Sequence, residues 1–64
     1  MNRNKYFING RKVSLPEASF EFFRASPGRY EMNQAELIQT WENCQTSEEV
    51  RDSYLPDGLE IIQA

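Results

Sequence analysis

Ten carboxylates and one thiol are the side chains of this sequence that could do chemistry, and the chain has no histidine. The thiol, Cys44, therefore lacks the histidine base that usually activates a cysteine nucleophile. It also falls on the apolar stripe of a predicted helix, where we expect a buried and unreactive thiol. The carboxylates have neither the alternating Asp/Asn spacing of a calcium loop nor a glycine-rich phosphate loop beside them. We therefore expect a non-enzymatic protein with no catalytic residues, no metal site and no cofactor.

The carboxylates are concentrated in the second half of the chain. Residues 1–30 carry six Lys or Arg and two Glu, a net charge of +4, whereas residues 31–64 carry eight acids and Arg51, a net charge of −7. A charge distribution of this kind gives information about which partners the protein can bind rather than about its fold. It indicates either a surface that attracts a basic partner or a solvated surface with no partner.

The length of the chain limits the kind of site that it can form. With 64 residues it is predicted to be one domain, residues 1–64, and a chain of this size buries only about 60% of the surface that its unfolded form exposes. A deep catalytic cleft is not expected. The polar start MNRNKYFING lacks the apolar run of a signal peptide, and no stretch has the length and apolarity of a membrane span. We expect a cytoplasmic protein that is a monomer or a weak homodimer.

A β-hairpin is predicted at about residues 4–14. The runs KYFI and RKVS favour β-structure and flank Asn9-Gly10, the pair that best adopts the two positive φ angles of a type I′ turn. Pairing across this turn places Tyr6 opposite Val13 and gives both residues to the same face of the hairpin. The hairpin is therefore expected to act as a scaffold.

Three helices and one more strand are predicted after the hairpin, at about residues 15–25, 34–44, 47–54 and 59–63. Each helix follows a capping residue that has a glutamate three positions after it. These pairs are Ser14 and Glu17, Asn33 and Glu36, and Thr46 and Glu49. Pro27-Gly28 is predicted to end the first helix. The elements make an α+β fold, in which the hairpin and the C-terminal strand form a small antiparallel sheet with the helices on one face.

The hydrophobic core is predicted from the period of 2 in the strands and of 3.6 in the helices. Its members are Tyr6, Ile8, Val13, Phe22, Leu37, Ile38, Trp41, Val50, Leu59 and Ile61. Phe20 falls on the side of the first helix that faces away from this core. We expect a later segment to cover Phe20 rather than leave it exposed, because small domains bury most of their aromatic residues.

The second and third helices, with the short connection Gln45-Thr46, resemble a helix-turn-helix in length. A recognition helix must approach phosphates, yet the third helix reads SEEVRDSY and sets three acids against Arg51. We therefore expect no direct binding of duplex DNA. A weaker alternative is a nucleic-acid site on the hairpin, where two aromatic residues lie among four basic ones. Its residues are Arg3, Lys5, Tyr6, Phe7, Arg11 and Lys12.

The exposed sides of the second and third helices are the predicted functional surface. The candidate partner-binding residues are Glu36, Glu42, Glu48, Glu49 and Asp52, with Glu31 and Asp57 at the margins. Carboxylates on helices can be spaced at intervals comparable to backbone phosphates, and their long-range field speeds association with a basic target. Such a surface could act as a partial mimic of DNA.

In size, charge layout and α+β plan, the chain resembles the short, acidic, histidine-poor proteins encoded by phages and mobile elements, among them anti-CRISPR inhibitors. The resemblance implies an inhibitor that occupies the basic DNA-binding surface of a CRISPR effector or another DNA-binding complex in the cytoplasm of a bacterial host. The resemblance assigns no role to any single residue. The alternative is a small phage regulatory or structural protein that binds a partner protein through exposed aromatic residues, Phe7 and Phe20.

Overall fold

The computed structural model describes residues 3–26 and 28–64, which form three strands and three helices. The strands are β1 (Lys5–Ile8), β2 (Arg11–Val13) and β3 (Leu59–Ile62). The helices are α1 (Leu15–Ala25), α2 (Gln34–Thr46) and α3 (Glu48–Tyr54), and a single 3-10 turn, Arg29–Glu31, lies between α1 and α2. The predicted α+β class with an antiparallel sheet is confirmed.

The hairpin forms at Asn9-Gly10 as predicted, because both residues adopt positive φ angles, 52° and 83°. β1 pairs with β2 in the predicted register, with Tyr6 opposite Val13. β3 joins the other edge of β1, antiparallel, with Ile61 opposite Tyr6. The strand order is β2-β1-β3, so the first strand is central.

α1 has the predicted bounds and the predicted cap, in which the backbone N–H of Glu17 donates to the hydroxyl of Ser14 at 3.4 Å. The helix ends where the N–H of Ser26 donates to the carbonyl of Phe22 at 2.8 Å. The predicted stop at Pro27 lies outside the described residues. Gly28, which follows it, has a φ of 73°, a left-handed conformation that glycine adopts without strain.

The junction of α2 and α3 differs from the prediction. α2 continues to Thr46, so Gln45 and Thr46 belong to its last turn and only Ser47 separates the two helices. The hydroxyl of Thr46 donates to the carbonyl of Glu42 at 3.4 Å instead of capping α3. Ser47 caps α3, since its hydroxyl accepts from the N–H of Val50 at 3.3 Å. The predicted connection Gln45-Thr46 was therefore wrong.

The core lies between the helices and one face of the sheet. Its buried members are Tyr6, Val13, Ala18, Phe22, Trp41, Cys44, Leu59 and Ile61. The ring of Trp41 lies at its centre, 5.9 Å from the ring of Tyr6 and 5.1 Å from the ring of Phe22. The side chains on the opposite face of the sheet are those of Lys5, Phe7, Lys12, Glu60 and Ile62.

Two of the residues predicted to be covered are open to solvent. Ile38 is 43% exposed because the N-terminal half of α2 meets only a shallow groove beside Phe23, which Leu37 also lines. Phe20 is 68% exposed because it points away from Ala18 and the core, and no described segment crosses that side of α1. Within residues 3–26 and 28–64, no helix has both the length and the apolar character needed to cross a membrane.

Candidate acidic binding surface

All seven acids predicted to bind a partner are exposed. Three of them, Glu48, Glu49 and Asp52, occupy the first, second and fifth positions of α3. They lie on one face of the helix because residues four apart are neighbours on its surface. Val50 and Tyr54 occupy the other face and pack against the core. The sequence therefore correctly assigned the two faces of α3.

A shallow, open groove of about 680 Å³ runs beside α3. Two of the predicted acids, Asp52 and Asp57, line it together with Glu60. The groove is bounded by α3, by the loop that leads into β3, and by Phe7 on the face of the sheet away from the helices. Carboxylates from three consecutive elements thus surround one concave surface. We call Glu48, Glu49, Asp52, Asp57 and Glu60 the α3 acidic surface.

Glu60 was missing from the predicted site. The alternation of apolar and polar residues in LEIIQ could have predicted its position. Leu59 and Ile61 face the core, so the residue between them must face away from it. Glu60 pairs across the sheet with Phe7, which places its carboxylate on the groove side of the sheet.

Arg51 is the only basic residue after position 30, and it also lines the groove. Only 15% of its side chain is exposed, and its guanidinium Nη2 lies 3.7 Å from Oε1 of Glu48, whose own side chain is 88% exposed. An arginine can bury its aliphatic stem in this way while carboxylates reach further into solvent. The exposed surface of α3 is therefore dominated by negative charge.

Three predicted residues lie on elements other than α3. Glu36 and Glu42 are six positions apart on α2, which at roughly 100° per residue separates them by about 120° around the helix axis. They therefore do not share one face, and neither lines the groove. Glu31 lies on the 3-10 turn before α2 and is also absent from the groove lining. The seven predicted residues are therefore divided between α3 with the loop that follows it, α2 and the 3-10 turn.

The hairpin residues considered for nucleic-acid binding do not all share one exposed face. Tyr6 is buried, and its hydroxyl donates to Oε1 of Gln45 at 2.6 Å, so its ring is not available to stack on a base. Arg11 lies 3.7 Å from Glu17, which partly neutralises it. Lys12 and Phe7 are opposite each other on the face away from the helices.

Cys44 is fully buried in the core, where its sulfur lies 3.9 Å from the carbonyl oxygen of Val50. Burial raises the pKa of the thiol to about 11, and the nearby positive charge of Arg51 opposes this only in part. The thiol is therefore protonated at neutral pH. A buried, protonated thiol is a poor nucleophile.

We expect Cys44 to react with a thiol reagent only when the protein unfolds. The labelling rate, measured with a chromogenic disulfide reagent, should rise with urea in parallel with loss of the far-ultraviolet circular dichroism signal. Complete labelling of the native protein within seconds would contradict this prediction, because it would require an exposed or ionised thiol.

The raised pKa also predicts how stability depends on pH. The folded state holds the thiol proton more tightly than the unfolded chain, whose thiol has the ordinary value of 9.0. The thiol therefore contributes to the free energy of unfolding. This contribution is fully present below pH 9 and is lost as the pH rises toward about 11. Wild type should therefore lose more stability than Cys44→Ala between about pH 8 and about pH 10 in urea denaturation. Equal losses would show that Cys44 does not contribute.

Across residues 3–26 and 28–64, no group of three or more His, Cys, Asp or Glu side chains is arranged to hold a metal ion. Comparison of the chain with protein-family models, with curated proteins and with solved structures found no match.

Proposed function

We propose that this protein is a non-enzymatic acidic binding module, an inhibitor of the anti-CRISPR type that acts in the cytoplasm of a bacterial host. It occupies the basic DNA-binding surface of a CRISPR effector or another nucleic-acid-handling complex as a partial mimic of DNA. The observation that carries the proposal is the α3 acidic surface, five exposed carboxylates of which three, Asp52, Asp57 and Glu60, line one groove. Its one basic residue, Arg51, is held close to the protein.

The spacing of the carboxylates supports mimicry of a nucleic-acid strand. A rise of about 1.5 Å per residue separates Glu48 from Asp52 by about 6 Å along the axis of α3. Two successive phosphate steps of one DNA strand advance by about 7 Å. The groove adds Asp57 and Glu60 beyond the end of the helix, so the negative charge extends past α3.

The same charges favour a protein partner over DNA itself. Glu48 and Glu49 lie in the first turn of α3, where an approaching phosphate would meet carboxylates before it met the backbone N–H groups. A basic protein surface would instead be attracted over a distance of about 10 Å at moderate salt. Long-range attraction of this kind mainly raises the association rate.

Reversal of the three helix charges tests the proposal. The variant Glu48→Lys, Glu49→Lys, Asp52→Lys should associate with a purified CRISPR effector complex about tenfold more slowly than wild type or worse, because electrostatic steering is lost. Raising the salt concentration should weaken wild-type binding but not the residual binding of the variant, because the lysines of the variant repel a basic target and salt screens this repulsion. Both quantities can be measured by biolayer interferometry, with target DNA as the competitor.

A matched control is available on the same protein. The variant Glu31→Lys, Glu36→Lys, Glu42→Lys changes the net charge by the same amount at exposed residues that lie outside both α3 and the groove. It should keep most of the wild-type association rate. Because lysines in the first turn of α3 oppose the helix dipole, thermal melts of both variants must show that they are folded. Equal affinities for all three proteins, with no response to salt, would contradict the proposal and favour binding through Phe7 and Phe20.

A further inference from the structure

α1 has a second apolar stripe beside the one that faces the core; its Phe20 is exposed, whereas its Phe23 also packs against the core. Pro16, Phe20 and Phe23 follow the spacing i, i+4, i+7, which places them along one line of the helix. The core stripe, Ala18 and Phe22, is separate from this line and fully buried. A contiguous exposed apolar patch often marks a surface that binds another protein.

Two shallow depressions flank this outer stripe. One, of about 440 Å³, is lined by Ile8, Pro16 and Phe20 together with charged residues. The other, of about 230 Å³, lies between α1 and α2, where Phe23 meets the half-exposed apolar residues of α2. We call Pro16, Phe20, Phe23, Leu37 and Ile38 the α1 patch. A projecting aromatic ring beside two apolar depressions is a shape that can complement a copy of itself.

The charges around the α1 patch are balanced, unlike those of α3. Arg24 pairs with Glu21 at 2.6 Å, and Arg11 lies 3.7 Å from Glu17. A strongly basic or strongly acidic partner would therefore find no excess of opposite charge at this face. A second copy of the chain has the same mixed pattern, with Glu17 in the first turn of α1 and Arg24 in the last turn, and this pattern is complementary to itself when the two helices are antiparallel.

We propose that the α1 patch is a homodimer interface, in which α1 of one copy lies antiparallel to α1 of the second copy. This orientation sets Glu17 of each copy opposite Arg24 of the other and inserts Phe20 into a depression of the second copy. It also opposes the two helix dipoles favourably. A chain this small has a thin core, and association is a common way to supplement it. α3 contributes no residue to the patch, so each dimer presents two acidic surfaces, which would raise avidity for a target with two basic sites.

Sedimentation velocity over a concentration series tests the dimer. Wild type should shift from monomer to dimer as concentration rises. Phe20→Ser should raise the dimer dissociation constant by about 30-fold, the effect of losing one hot-spot aromatic. Tyr30→Ser is the matched control, because Tyr30 is an 88% exposed aromatic outside the α1 patch. It should leave the dissociation constant unchanged.

Charge reversal tests the orientation. Glu17→Arg and Arg24→Glu each place like charges opposite one another in the antiparallel dimer and should each weaken it. The double variant restores opposite charges and should restore dimerisation. Each substitution also breaks a pair within its own copy, so melts at low concentration must show that the monomers are folded.

Three results would overturn the proposal. The first is a wild type that stays monomeric at about 1 mM, the weak end of measurable association. In that case the α1 patch would belong to a different protein partner. The second is equal weakening of the dimer by Phe20→Ser and Tyr30→Ser. The third is a double charge variant that dimerises no better than the two single ones.

Discussion

Trp41→Ala is expected to leave the protein largely unfolded at room temperature. Trp41 is 7% exposed, and its ring packs against the rings of Tyr6 and Phe22, which come from the sheet and from α1. Removing a buried aromatic costs about 3–5 kcal/mol. At about 0.05–0.15 kcal/mol per residue, a 64-residue chain has a total stability of roughly 3–10 kcal/mol. At the lower end of this range, the substitution therefore removes nearly the whole free energy of unfolding.

Ile38→Ala is the matched control for this experiment, since it removes an apolar side chain from the same helix one turn earlier. Ile38 is 43% exposed, so the substitution should cost less than about 1 kcal/mol. Circular dichroism and urea denaturation measure both variants. A cooperative transition of Trp41→Ala near the wild-type midpoint would show that the packing around this ring does not hold the fold together.

Gly58→Ala is expected to destabilise the fold by about 2–3 kcal/mol, because it combines backbone strain with a steric overlap. The φ of Gly58 is 90°, a conformation that residues with a Cβ rarely adopt. An added Cβ would overlap the Oδ1 atom of Asn9 and lie 3.2 Å from its Cγ. The carbonyl of Gly58 also accepts from the N–H of Asn9 at 2.7 Å, so the loop before β3 is bound to the hairpin turn.

Gly10→Ala separates the two causes. Gly10 has a similar φ of 83°, but no atom lies within 4 Å of the position of an added Cβ. Its substitution should therefore cost only the strain, about 1–2 kcal/mol. In the background Asn9→Gly, the overlap at Gly58 is absent, and the added cost of Gly58→Ala should fall toward that of Gly10→Ala. If Gly58→Ala and Gly10→Ala cost the same in the wild-type background, the contact with Asn9 is unimportant.

The sequence correctly predicted the turn and the helix starts, because the residues that specify each of them lie within a few positions of one another. The Asn9-Gly10 turn formed as expected because few other residue pairs tolerate two positive φ angles. The start of α1 followed from Ser14, and the start of α2 followed from Asn33, whose side chain accepts from the N–H of Glu36 at 2.8 Å. These hydrogen bonds span three residues and do not depend on the rest of the fold.

The junction of α2 and α3 could not be predicted in the same way. Thr46 and Ser47 both have hydroxyl groups that can cap a helix, and the sequence does not decide between them. In the structure, Gln45 accepts a hydrogen bond from the hydroxyl of Tyr6, 39 positions earlier in the chain. This long-range bond holds the last turn of α2 over the sheet and leaves Ser47 as the cap of α3.

Periodicity predicted which side of each helix is apolar but not what lies against it. Trp41 and Ile38 belong to the same apolar pattern, yet Trp41 is buried and Ile38 is half-exposed, because only the first meets both the sheet and α1. Periodicity also could not predict the exposure of Phe20, because that exposure depends on whether another segment covers it, and none of the described residues does.

The sequence alone determined that negative charge is concentrated after residue 30 and that Glu48, Glu49 and Asp52 share one face of α3, because helical periodicity is a local property. Only the tertiary structure decided that Asp57 and Glu60 join Asp52 around one groove. That grouping depends on β3 pairing with β1 on the edge opposite β2. Strand order results from contacts between residues distant in sequence, and no local pattern of charge or hydropathy specifies it.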